Sequence, residues 1–133
     1  MNGKNKHGII RDEALVRVGI ISGQDYQKRT IAIAKGEYIP KPDEPKIWFE
    51  SLETLTKVFS SKNQELLKVI LERNPDSLGE LEQVTGRSRS NLSKILRTME
   101  RYGIVDLEQH NGSLKPIVKA TDFQVEFGIH QAL

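Results

Sequence analysis

The sequence predicts an α+β fold, and three observations carry the prediction. Between Ser51 and Gly103, helical segments with serine caps follow one another at short intervals. After them come an alternating segment, a His110-Asn111-Gly112 turn and a second extended segment. Before them, a β-branched stretch and one more helical segment are set apart by Pro40-Lys41-Pro42-Asp43-Glu44-Pro45. Proline fixes φ, removes a donor and biases its predecessor away from helix, so this stretch reads as an extended connector.

Taken in order, Ala14 to Ile21 is β-branched and partly alternating, which predicts a strand. Ser22 can cap a helix from Gly23 to Lys35, stopped at Gly36, with Tyr26, Thr30, Ile33 and Ala34 on one face. Leu52, Leu55, Val58 and Phe59 make an apolar stripe on a helix from Ser51 to Phe59. Ser61-Lys62-Asn63-Gln64 has capping-box spacing and opens a helix carrying Leu66, Leu67, Ile70 and Leu71, closed by Asn74-Pro75. Ser77-Leu78-Gly79-Glu80 repeats that spacing ahead of Leu81 and Val84, with Gly86 as the stop. Ser88 then caps a longer helix with Leu92, Ile95, Leu96 and Met99 inward, ending at Gly103. Two capped helices joined by Thr85-Gly86-Arg87 form a helix-turn-helix. Strands are expected at 104–108 and, beyond the Asn-Gly turn, at 114–120, edged by Pro116, with a last one over 123–127. Three helices followed by a hairpin are the order of a winged helix. The full expectation is a winged helix-turn-helix domain over 47–121, an N-terminal strand–helix extension with its connector over 1–46, and a C-terminal strand within 122–133.

Composition sets outer bounds. The 133 residues allow one compact domain of ordinary size with a short extension. No apolar run approaches the roughly 18–20 residues that span a bilayer, and no signal-type apolar segment follows the N-terminal residues, so a cytoplasmic protein is expected. The absence of cysteine excludes disulfides, thiol catalysis and thiolate metal sites. His7, His110 and His130 are scattered, with no pair at ligand spacing, so no metal is expected. No phosphate loop, GxSxG elbow or HExxH is present. Asp43-Glu44 reads as a solvated pair, and Trp48 and Phe49 as anchors pinning the connector to the helical domain. No enzyme and no cofactor are expected.

Lys and Arg number 20 against 18 Asp and Glu, a net charge of +2 that argues little by itself. Position is more informative. Between Glu82 and Glu100 there is no acid, while Arg87, Arg89, Lys94 and Arg97 fall in that window with Ser88, Ser90, Asn91 and Ser93. Helical periodicity leaves Arg89, Ser90, Ser93, Lys94 and Arg97 on the outer face. A recognition helix needs this division, with short polar groups for base edges in its first turn and cations for phosphate further along. Asn91 also suits a capping role, and Arg87 a solvated one. At the hairpin tip Asn111 and Lys115 can lie against the duplex, although Asn111-Gly112 is equally explained by the turn alone. Double-stranded DNA is therefore the expected partner. A homodimer is expected too, since one helix reads only a short half-site and since Ala14–Ile21 and Phe123–Phe127 each look too isolated to be stable without a partner strand. RNA is less well supported, because the surface lacks an exposed aromatic pair for stacking bases.

The runs Arg29-Thr30-Ile31-Ala32-Ile33-Ala34-Lys35-Gly36-Glu37-Tyr38 and Pro45-Lys46-Ile47-Trp48-Phe49-Glu50-Ser51-Leu52-Glu53 carry a family resemblance. So do Ser90-Asn91-Leu92-Ser93-Lys94 and Thr98-Met99-Glu100-Arg101-Tyr102-Gly103-Ile104-Val105. Together they resemble small bacterial and archaeal winged-helix transcriptional regulators, many of them similar to antitoxins of toxin–antitoxin pairs. The helix-turn-helix part is shared with MarR-like and ArsR-like regulators. The likeness runs from about Val16 to Phe127 and leaves residues 1–13 as a basic arm. It implies that the helix with Ser90, Asn91, Ser93 and Lys94 reads DNA and that the chain has an operon-encoded partner, for which a cognate toxin is a candidate; repression of transcription, with its own operon as a candidate target, is the leading expectation. An alternative expectation makes the N-terminal extension a toxin-neutralising module, with DNA binding secondary.

Overall fold

The computed structural model describes residues 15–129. The basic arm expected over 1–13, the first residue of the expected strand, His7 and His130 lie outside the described residues. The architecture is α+β, with five helices and two small sheets among the described residues. It divides into two units, one made of residues up to Leu55 together with those from Asp122 onward, the other of Thr56–Thr121.

The first unit is built on strand β1 (Leu15–Ile20), helix α1 (Gly23–Ala34), strand β2 (Ile47–Phe49) and strand β5 (Asp122–Glu126). All three strands run parallel, in the order β2-β1-β5. Val18, in the middle of β1, stands opposite Ile47 on one side and Val125 on the other. Parallel neighbours need a crossover, and α1 supplies it between β1 and β2. Ser22 caps α1 as expected, its Oγ accepting from the Asp25 amide at 3.1 Å. The helix ends when Gly36 enters the left-handed region at φ 75°, and the Gly36 and Glu37 amides return to the Ile33 and Ala32 carbonyls. Val18, Ile21, Ile47 and Phe49 are buried.

Three expectations are corrected here. The N- and C-terminal strands are not isolated, because they pair with each other within the chain, Leu15 opposite Asp122 through Gly19 opposite Glu126. Trp48 and Phe49, expected as anchors of the connector, form β2, and the Trp48 ring lies against Gly19 of β1. Finally, α1 has no buried residue, and Tyr26 is 45% exposed, so the face expected to pack is largely in solvent.

Gly19 sits where a side chain has no room. A Cβ there would fall 2.6 Å from Trp48 Cζ3 and 2.9 Å from Pro45 Cγ. Gly19→Ala therefore forces the indole off its seat and is expected to destabilise the chain by about 1–3 kcal/mol. Denaturant unfolding of the full chain measures this, and wild-type stability in the variant would refute the packing argument.

The second unit carries helices α3 (Ser61–Arg73), α4 (Leu78–Thr85) and α5 (Arg89–Arg101), then the antiparallel strands β3 (Val105–His110) and β4 (Ser113–Val118). Helix α2 (Leu52–Val58) leads into it. In the sequence, helical spacing puts Leu66, Leu67 and Ile70 on one face of α3, and Leu92, Leu96 and Met99 on one face of α5; all six are buried, with Leu81, Ile104 and Val105. Helix α4 packs on α5, and α3 and α4 both pack on β4. The hairpin turn places Asn111 at φ 50° and Gly112 at φ 78°, the left-handed pair of a two-residue turn whose twist matches the strands.

The caps fall where serine precedes each helix, with one shift. Ser77 and Ser88 cap α4 and α5 by accepting from the Glu80 and Asn91 amides. For α3 the cap is Ser60 and not Ser61: its Oγ accepts from the Asn63 amide at 3.3 Å. Gln64 does not reach back to the Ser61 amide; its Nε2 donates to the Phe59 carbonyl. The side chain of Glu80 accepts from the Asp76 amide, one residue beyond the expected box.

Candidate nucleic-acid interface

Helix α5 owes its division into two faces to sequence spacing. With Leu92, Leu96 and Met99 buried, Ser90, Lys94, Arg97 and Arg101 follow at intervals of four, three and four residues and form the ridge pointing away from the core. All four are exposed. Arg97 lies 3.9 Å from Glu100, an exposed pair of little energetic weight. Neither Lys94 nor Arg101 has an acidic partner within 4 Å among the described residues. Arg101 escapes the sequence reading because the acid-free window closes at Glu100, although its spacing from Arg97 marks it.

The other expected site residues separate into those that remain available and those the fold has engaged. Ser88 spends its hydroxyl on the α5 cap. Ser93 is half-buried on the flank of the ridge. Arg89 leans back over α4: its amide and guanidinium both donate to Glu82, and its Nη2 occupies the space a Cβ on Gly79 would take. The acid at the edge of the window thus folds back to partner a cation inside it.

Arg87 is half-buried, and its guanidinium is engaged within the unit. Its Nε donates to Asn91 Oδ1 at 2.8 Å, and its Nη2 to Asn63 Oδ1 at 3.2 Å. Asn63 is buried, and its amide donates to the Lys57 and Val58 carbonyls, each at 3.1 Å. One chain of hydrogen bonds therefore joins the end of α2, the start of α3 and the start of α5. It also holds Asn91 by its oxygen, while the Nδ2 hydrogens have no partner among the described residues. The sequence reading missed Asn63 because a lone asparagine in the first turn of a helix reads as capping chemistry.

Lys115 is likewise drawn inward. Its ammonium donates to Asp76 at 2.8 Å and to Asn74 Oδ1 at 3.2 Å, and its side chain is only 17% exposed. It ties β4 to the α3–α4 loop and is not displayed at the hairpin tip. His110, Asn111 and Gly112 are exposed there.

Lys115, first by hydrogen bond and then by charge, holds the Asp76 carboxyl below its ordinary value of 3.8; desolvation opposes this, and the charge of His110 adds to it. A lowered folded-state value means that the unfolded chain binds more protons in this range. The contribution of the pair is therefore complete above about pH 4 and is lost as pH falls through the lowered value. Asp76→Asn should make the chain less stable at neutral pH, with the gap to wild type closing under acid. Parallel urea melts at pH 7 and in acid check this; a gap that widened on acidification would contradict it.

No helix among the described residues is long and apolar enough to cross a membrane. No curated protein matches the chain. No solved structure matches it either. The model of one protein family, HVO_A0114, matches residues 58–125, from the last residue of α2 into β5. The matched residues include all of the α5 ridge and the hairpin, whereas the runs at 29–38 and 45–53 lie outside them. The match covers just over half of the 133 residues, and the chain belongs to the HVO_A0114 family.

Proposed function

We propose that the chain is a sequence-specific, duplex-DNA-binding transcriptional regulator of the cytoplasm, acting as a homodimeric repressor. In this reading the second unit is a winged helix, α4 and α5 are its helix-turn-helix, and β3–β4 is the wing. The observation that carries it is the α5 ridge of Ser90, Lys94, Arg97 and Arg101. A helix inserted in the major groove presents its first turn to base edges and its later cations to phosphate. In the first turn of α5, Arg89 is engaged with Glu82, which leaves the Ser90 hydroxyl and the Asn91 side-chain NH2 to face a partner. Because Arg87 occupies the Asn91 oxygen, Asn91 suits a base acceptor better than the two-sided contact with adenine. Arg87 and Lys115 support the framework and leave the contact set, while Arg101 joins it. Dimerisation follows from the short reach of one helix, since two half-sites on a palindrome double the contacts.

The test is fluorescence anisotropy with duplex fragments from the chain's own upstream region, a scrambled duplex and a structured RNA as competitors. Preferential, salt-sensitive binding of one duplex is expected. Equal competition by RNA or by scrambled DNA would overturn the reading.

One observation favours the second reading, in which the first unit docks a protein such as a toxin. Helix α1 buries no residue and exposes Tyr26 and Ile31, while Phe127 beyond β5 is 62% exposed. Removing residues before Ile47 is a poor test, because it also strips β5 of its partner strand. Tyr26→Glu with Ile31→Glu in the full chain is a cleaner one. Co-purification with the neighbouring gene product should be lost if this face docks it.

A further inference from the structure

The first unit contains a cavity of about 550 Å³, within the range of small-molecule sites. It is lined by β1 from Arg17 onward with Ile21, by the connector ahead of β2 together with Trp48, and by Glu126 to Gly128 at the end of β5.

The walls are built and not merely exposed. Arg29 has an 11% exposed side chain and donates to Glu44 at 2.7 Å, and the Tyr38 hydroxyl hydrogen-bonds the other Glu44 oxygen. The Arg29 guanidinium also lies 5.2 Å from the centre of the Trp48 ring and 5.8 Å from that of Tyr38. Glu44, expected from the sequence to be a solvated connector residue, is therefore one of the best-held groups in the unit. On the opposite wall Arg17 donates through Nε and Nη2 to one Glu126 oxygen.

The lining carries three bases, Arg17, Arg29 and Lys41, and three acids, Asp43, Glu44 and Glu126. Four of them form the two pairs just described. Lys41 and Asp43 remain, two positions apart on one turn closed by the Glu44 amide on the Lys41 carbonyl, and neither has a charged partner among the described residues. A net anion or a net cation would meet as much repulsion as attraction in a lining so balanced. A dipolar ligand meets opposite charges at adjacent positions, with Trp48 and Phe127 offering apolar surface for its remainder.

We infer that this cavity binds a small zwitterion, a free α-amino acid with an apolar side chain, whose carboxylate meets Lys41 and whose ammonium meets Asp43. The inference does not rest on DNA binding, and its test contains no DNA. Isothermal titration of the full chain with L-phenylalanine, L-leucine and L-tryptophan should show saturable binding by at least one of them. For L-phenylalanine, the controls are 2-phenylethylamine, which lacks the carboxylate, and 3-phenylpropanoate, which lacks the ammonium; matched analogues serve for the other two. Each control should bind at least about tenfold more weakly, as expected for the loss of one charged contact. Lys41→Ala and Asp43→Asn, both at exposed positions, should each weaken the amino acid by a similar factor with unchanged unfolding transitions. No heat from any of the three amino acids, equal binding of either control, or undiminished affinity in both variants would overturn the assignment.

Discussion

Replacing Lys94, Arg97 and Arg101 together by alanine is expected to reduce duplex affinity by about 100-fold or more at low salt. It should also flatten the dependence of log affinity on log salt by roughly two to three units per protomer. Each ridge cation that neutralises a phosphate releases about one counterion, so the slope counts contacts independently of absolute affinity. The three side chains are exposed on the outer face, and their removal leaves Leu92, Leu96 and Met99 untouched. Folding should stay within about 0.5 kcal/mol of wild type. Arg87→Ala is the informative contrast. Because Arg87 bonds Asn63 and Asn91, its loss should lower the melting temperature and leave the salt slope nearly unchanged. A triple variant with the wild-type slope would remove α5 as the interface, and a flattened slope in Arg87→Ala would return that residue to the contact set.

The second large effect is on stability. Asn63→Ala should cost about 2–4 kcal/mol, because it strands the Lys57 and Val58 carbonyls and one donor of Arg87 at once. For a unit of this size the melting temperature should fall by about 10 °C or more. Asn63→Asp separates the two halves of the network. It keeps an acceptor for Arg87 but sets a carboxylate against two carbonyl oxygens, so it too should destabilise. A double-mutant cycle of Asn63→Ala with Arg87→Ala should show coupling of about 0.5–3 kcal/mol. An alanine variant as stable as wild type, or a cycle without coupling, would show that water replaces the network.

Local chemistry was legible in the sequence where its cause is local. Ser22, Ser77 and Ser88 cap their helices, and the Asn111-Gly112 turn forms, because each needs only a few neighbouring residues. The start of α3 shifts by one residue because two serines adjoin, and the choice between them accompanies a side chain, Asn63, bonded to the end of α2. Arg87 and Lys115 are the opposite case. Their partners lie 24 and 39 positions away, and a count of charges along a window cannot show that a cation turns inward. The same limit hid the walls of the amino-acid cavity. The Arg17–Glu126 pair spans 109 positions, and a three-residue strand such as β2 has no periodicity to detect.

The pairing of β1 with β5 also sets the order of events during synthesis. Thr56–Thr121 contains α3 to α5 and the whole hairpin, so the strand pairing inside it needs no residue from either flank. The earlier part cannot be completed that way. One side of β1 must wait, with its amides and carbonyls unpaired, until Asp122 to Glu126 are made. Closing so long a loop adds little free-energy cost beyond that of a shorter one, since the cost grows only with the logarithm of length, but it is slow. During that interval β1 offers an open strand edge to any extended chain nearby. β1 thus gains its second neighbour only after all of Thr56–Thr121 has been made.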